Sequence, residues 1–154
     1  MQNKECGRYR PTYFCMKDNR TSLLWVVPMS KQVEKYKKIY DKQVEKYGEC
    51  LTIVFGKFDN QMNVFLLQNI PITEYYIDHI HTRNGIPVPI RYSLQKKIRS
   101  NMKRIFQILS KGKHIVFTDV SRLEKIMLAE LNKSNTIFDV DNINDDEISN
   151  NLSL

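Results

Sequence analysis

The chain has 154 residues, 42 % hydrophobic and 27 % charged, an ordinary balance for a globular protein of one domain. No apolar run approaches the ~18 residues that a membrane-spanning helix needs. The opening MQNKECGRYRP lacks the apolar core of a secretory signal, so a cytoplasmic location is expected.

Charge is distributed unevenly. Lysine and arginine number 24 against 17 acids, a net charge of +7. Residues 134–154 hold five of the acids and no Lys or Arg, so residues 1–133 carry an excess of twelve positive charges. A surface of that charge attracts polyanions, and nucleic acid is the usual partner in the cytoplasm.

Taken in chain order, residues 12–16 (TYFCM) and 23–27 (LLWVV) are β-rich and flank the turn cluster KDNRTS. They predict a hairpin whose second strand ends at Pro28, since proline cannot donate to a ladder. Trp25 inside that strand is expected in the core. Residues 31–47 contain neither Pro nor Gly and are followed by Gly48, which predicts a helix. Its apolar face is Val33, Tyr36, Tyr40, Val44 and Tyr47. The motif QVEKY occurs at 32–36 and again at 43–47. Eleven residues are close to three helical turns, about 10.8 residues, so the second copy lies over the first.

Residues 51–55 (LTIVF) and 63–68 (NVFLLQ) form a second candidate strand pair across GKFDNQM. Residues 86–90 (IPVPI) fit a short edge strand. Residues 94–109 predict a second helix, capped by Ser93, with Leu94, Ile98, Met102, Ile105 and Leu109 inward and Gly112 beyond its end. A third helix is expected at 121–131, with Ser121 and Glu124 at capping-box spacing and Leu123, Ile126, Met127 and Leu131 inward. One domain, residues 1–133, with a loosely held polar and acidic tail at 134–154, accounts for the whole pattern. Strands mixed with helices, mostly in hairpins, predict an α+β fold with an antiparallel sheet or small barrel.

Cys6, Cys15 and Cys50 are an odd count at wide spacings, which is no disulfide framework. They have no ligand spacing with His79, His81 or His114, so neither a metal nor another cofactor is expected. The chemistry-bearing stretch is instead VVPMSKQVEKYKK, residues 26–38, where a hydroxyl and amines meet at a strand-to-helix junction. RNA can be cut through its own 2′-hydroxyl without metal or covalent intermediate. The reaction needs a base, an acid and fixed donors for the charge building on phosphorus. Ser30 can donate to a phosphoryl oxygen, and Lys31 can stabilise charge or carry a proton. Ser30 also suits a helix cap, and the two roles are compatible.

Arg10-Pro11 opening a first strand, then WVVPMS at residues 25–30, then a helix beginning KQVEKYKK, resembles the toxins of type III toxin–antitoxin systems. The similarity is greatest to the CptN branch and more distant to ToxN, and it covers most of residues 8–131. The resemblance implies a MazF/PemK-like fold, a small twisted antiparallel barrel with helices packed around it. It also implies a metal-independent, sequence-preferring endoribonuclease that cuts mRNA and its own repeat antitoxin precursor to 2′,3′-cyclic phosphate ends. A small structured RNA would be the inhibiting partner. Ser30 matches the hydroxyl residue of the family's Pro-aliphatic-Thr/Ser motif, and Arg10 its basic residue at the first strand. Where the ToxN branch has its lysine this chain has Val33, so the amine's role falls to Lys31 or to Lys35.

Further RNA contacts are expected from Arg8 and Tyr9, from Lys38, and from His79 and His81 in YIDHIHTRNG. The second long helix adds Lys96, Lys97, Arg99, Lys103 and Arg104. A non-catalytic RNA- or DNA-binding regulator would use the same basic surface. A closed assembly, with RNA bridging more than one toxin chain, is the expected quaternary form.

Overall fold

A computed structural model describes residues 12–133. Arg8, Tyr9, Arg10 and the tail at 134–154 lie outside the described residues. The first expected hairpin forms: β1 (Thr12–Lys17) and β2 (Leu24–Ser30) pair antiparallel, with one extra residue in β1 between Phe14 and Met16. The turn is held by the Asp18 carboxylate, which accepts the Arg20 N–H at 2.9 Å. That bond, with help from the Thr21 hydroxyl and the Arg20 charge, keeps the Asp18 carboxyl below its ordinary range.

Pro28 does not end β2, which continues to Ser30. The reason lies on the far edge of the strand. There, β5 (Ile70–Ile72) pairs with Leu24–Val26, and β4 (Gln61–Leu66) pairs with Met29 and Ser30. The ladder on that edge is interrupted opposite residues 27–28, where a missing N–H is tolerated. Asn69, at φ 49°, makes the bend between β4 and β5 and is fully buried. Its Nδ2 reaches the Met102 carbonyl at 3.5 Å.

β3 (Ile53–Phe58) pairs with β4 around a two-residue turn, Asp59–Asn60. Both turn residues have positive φ, 50° and 61°, as a type I′ hairpin requires. The strand order is β1-β2-β4-β3, with β5 alongside β2. The fold is therefore α+β with an antiparallel sheet, but among the described residues no barrel closes: β1 and β3 are edges. The expected strand at 86–90 shrinks to β7 (Ile86–Pro87), paired with β6 (Thr82–Arg83) across Asn84–Gly85 in a separate two-stranded ribbon.

Side-chain parity divides the sheet into two covered faces. Trp25, Val27, Met29, Val54, Phe58, Phe65 and Leu67 point to one side and pack with Ile98, Met102 and Ile105 of α2 (Tyr92–Ser110). Trp25 meets Phe106 edge-on at 4.7 Å, in the core as its sequence context predicts. Ile53 and Val64 point to the other side, where α1 (Val33–Tyr47) lays Val33, Tyr36, Tyr40 and Val44 over them. Tyr47 is the exception to the predicted stripe: it lies at the end of α1, outside the cluster, and is 66 % exposed. Gly48, at φ 79°, stops the helix with its N–H on the Val44 carbonyl. Buried Cys50 donates its thiol to Gln43 of α1 at 3.0 Å.

The two remaining caps differ from expectation. α2 begins at Tyr92 with Arg91 before it, so Ser93 lies within the first turn. The third helix, α3 (residues 120–133), is capped by Asp119, whose carboxylate accepts the Arg122 N–H at 3.1 Å. Ser121 therefore sits inside the helix, and Ile126 of its predicted stripe is 41 % exposed. A 3₁₀ turn at Glu74–Tyr76 fastens to α3 through the Tyr76 hydroxyl, which donates to Glu130 at 3.1 Å.

Candidate functional site

The β2–α1 junction is built from the sheet outward. Met29 and Ser30 are held by pairing with Phe65 and Val64, both of them fully buried. Ser30 is the last residue of that ladder and is only partly covered. Its parity places it on the α1 face, in one row with Val64 and Phe55. Beyond it the chain turns sharply, with the Val33 N–H on the Lys31 carbonyl at 2.9 Å.

Ser30 is not the N-cap of α1. That position is Gln32, which gives no side-chain cap bond. Instead Ser30 Oγ accepts the Gln32 N–H at 3.2 Å, a local turn bond two residues along. The interaction fixes the oxygen and leaves the hydroxyl proton to be donated elsewhere. Lys31, next in the chain, is exposed. Lys35 stands about 200° around the helix from sheet-facing Val33, at 100° per residue, with Nζ 5.6 Å from the Tyr36 ring centre. Of the two candidate lysines, only Lys31 belongs to the junction itself. Lys38 shares the outward side of α1 with Lys35.

The cations of α2 do not form one stripe. With Ile98, Met102 and Ile105 turned inward, Lys96, Arg99 and Lys103 fall on one flank, and Lys97 and Arg104 on the other. Arg104 is engaged in a bidentate pair with Glu49, at 2.6 and 2.8 Å. The pair holds the Glu49 carboxyl below its ordinary range and fastens α2 to the segment after α1. Arg104 thus has a structural partner that its sequence position did not disclose.

His79 and His81 serve different carboxylates. His79 Nδ1 lies 2.8 Å from Asp78, while His81 Nε2 lies 3.5 Å from Asp59 in the β3–β4 turn. Asp59 also binds Arg83 at 3.2 Å, and the His81 ring lies 5.2 Å from Phe58. Lys57, Arg83 and Arg91 were missed as candidates; the two hairpins and the start of α2 bring them around one cleft of ≈ 440 Å³. The Asn84–Gly85 turn was the sequence signal for the second hairpin. Another cleft, of ≈ 530 Å³, has Trp25, Phe106 and Leu109 in its lining with Asp18, Asp119 and Glu124. Neither cleft is lined by Ser30, Lys31 or Lys35.

Among the described residues, no three His, Cys, Asp or Glu side chains converge as a metal would require. Among the same residues, no helix is long and apolar enough to cross a membrane. The fold and junction thus define an α+β protein with a basic exterior and one positioned hydroxyl at the end of a central strand. No protein-family model matches the chain, and no curated protein matches it in sequence.

Proposed function

We propose that this protein is the toxin of a type III toxin–antitoxin system, a metal-independent endoribonuclease restrained by a small structured RNA. The observation that carries the reading is Ser30: its Oγ is fixed by the Gln32 N–H at the end of a central strand, and the exposed Lys31 follows it in the chain. The motif resemblance around WVVPMS supplies the chemistry. Ser30 donates to a non-bridging phosphoryl oxygen as the RNA 2′-hydroxyl attacks the adjacent phosphorus. Lys31 offsets the charge that builds there and gives a proton to the departing 5′-oxygen, while solvent water takes the 2′ proton and returns one to Lys31. The bond broken is P–O5′, and the products are a 2′,3′-cyclic phosphate and a 5′-hydroxyl. Lys38 and the α2 flanks hold flanking phosphates.

The test is incubation of single-stranded RNA with the protein in EDTA, followed by mapping of fragment ends. Cleavage with cyclic phosphate ends is expected. Activity that EDTA abolishes and magnesium restores would sink the mechanism. Binding without cleavage would favour a non-catalytic RNA-binding regulator.

A further inference from the structure

The cleft between the two hairpin tips has features that the junction lacks. Three cations, Lys57, Arg83 and Arg91, stand around it, against the single carboxylate of Asp59. Its wall at residues 86–89 is apolar, made of Ile86, Pro87, Val88 and Pro89. Asn60 and Asn84 also line it, each held at positive φ in its own turn, 61° and 52°. An asparagine amide presents a donor and an acceptor together, the pattern that pairs with a nucleobase edge. At ≈ 440 Å³ the cleft falls within the range of small-ligand sites, about 300–1,000 Å³.

Its position relative to Ser30 follows from the ladder. β2 runs antiparallel to β4, with Ser30 opposite Val64, so the end of β2 points toward the β3–β4 turn. Asn60 is four residues before Val64, roughly 13 Å along the strand at ~3.3 Å per residue. Lys57 has the parity of Phe55, and so shares a sheet face with Ser30. The cleft and the hydroxyl therefore occupy the same end of the sheet, a short run of nucleotides apart.

Building on the ribonuclease reading above, we propose that this cleft is a base-reading subsite for one nucleotide of the single-stranded RNA. The base lies against the apolar wall at 86–89, and Asn60 and Asn84 read its edge. Lys57, Arg83 and Arg91 hold the neighbouring phosphates. The sequence preference of the enzyme is set here rather than at Ser30.

The test is fluorescence anisotropy with 2′-O-methyl 12-mers, which cannot be cut, of A, C, U and mixed sequence. The parent protein is expected to favour one homopolymer over the weakest by about tenfold, the scale of one good bidentate base contact. Asn60→Gly with Asn84→Gly, which keeps both turns at positive φ, should bring the homopolymers within about twofold of each other. Mixed-sequence binding should weaken by no more than binding of the preferred homopolymer does. Lys57→Gln, Arg83→Gln and Arg91→Gln together should weaken all sequences alike and lower the log–log salt slope by about 2, at about 0.7 per phosphate on single strands. Melting curves of each variant check that it is folded.

If the asparagine variant keeps its preference, or the triple variant keeps its slope while the parent binds RNA, the cleft is wrong and the ribonuclease reading stands. Loss of slope on reversing Lys96 and Lys103, with none in the triple variant, would leave the strand on α2 alone and away from the cleft. Binding of 5′-AMP as tight as that of the oligomer would make this a free-nucleotide site and overturn the RNA assignment. A parent protein that binds no RNA defeats the cleft and the ribonuclease reading together.

Discussion

Ser30 carries one modest structural bond and, on the proposed mechanism, one large catalytic contribution. Removing its hydroxyl leaves the Gln32 N–H exposed to solvent, a cost comparable to losing a cap, about 0.5–2 kcal/mol. Loss of a transition-state donor costs on the order of 100-fold or more in rate. Ser30→Ala is therefore expected to melt near the parent temperature and to cut RNA at least a hundred times more slowly. Cleavage at the parent rate would leave Ser30 with its turn bond alone. Three carboxyls contribute to the acid sensitivity of the fold. Asp18 is lowered by its Arg20 N–H bond, Glu49 by its bond to Arg104 and Glu74 by its bond to Lys17. Each binds its proton less readily folded than unfolded, so the unfolded chain gains protons first as pH drops through the ordinary carboxylate range near ~4. Their stabilisation is present above that range and is lost as pH falls through the depressed folded values. Melting followed by circular dichroism should fall between pH 6 and pH 3, and Asp18→Asn should reduce the fall. A melting temperature that stays level or rises toward pH 3 would contradict this assignment.

At the scale of elements, the sheet and α2 approach each other closely at Gly56. A Cβ there would land on the Leu94 side chain, which is partly buried and packs against the main core. Gly56→Ala should cost about 1–3 kcal/mol through overpacking. Leu94→Ala makes the space, so the double variant should be little less stable than Leu94→Ala alone. Urea unfolding of the four proteins measures the coupling, and additive losses would show that the contact is not tight. The helices were legible because each is written within its own segment: Val33, Tyr36, Tyr40 and Val44 recur at helical spacing, and Gly48 marks the stop. Pro28 misled because its tolerance depends on a gap between β4 and β5, segments more than thirty residues away. The Asp59–Asn60 turn was hidden inside GKFDNQM because its residues are less typical of a two-residue hairpin than Asn-Gly. At the junction, Ser30 was readable, but which backbone N–H it receives depends on where α1 begins. The cleft of Lys57, Arg83 and Arg91 was not readable, since only the docking of two hairpins beside the start of α2 brings those cations together.

Across the whole molecule, positive charge faces several directions. It lies on the outer side of α1, on both flanks of α2 and around the hairpin cleft. A single strand crossing one active site needs only one of these surfaces. A folded RNA that inhibits the enzyme and also contacts a second protein chain uses more than one, because each RNA has two sides rich in phosphate. Residues 1–133 carry twelve excess positive charges, so direct contact between two chains is electrostatically unfavourable unless an anion lies between them. The native preparation is therefore expected to contain a small RNA and more than one protein chain, closed by RNA bridges with little protein–protein contact. Size-exclusion chromatography before and after complete RNase treatment tests this. The complex should collapse to the mass of a single chain once its RNA is destroyed, and raised salt should dissociate it in the same direction. A homodimer that persists with no nucleic acid would reverse the account: the chains would then meet through protein, and the basic surfaces would serve substrate alone.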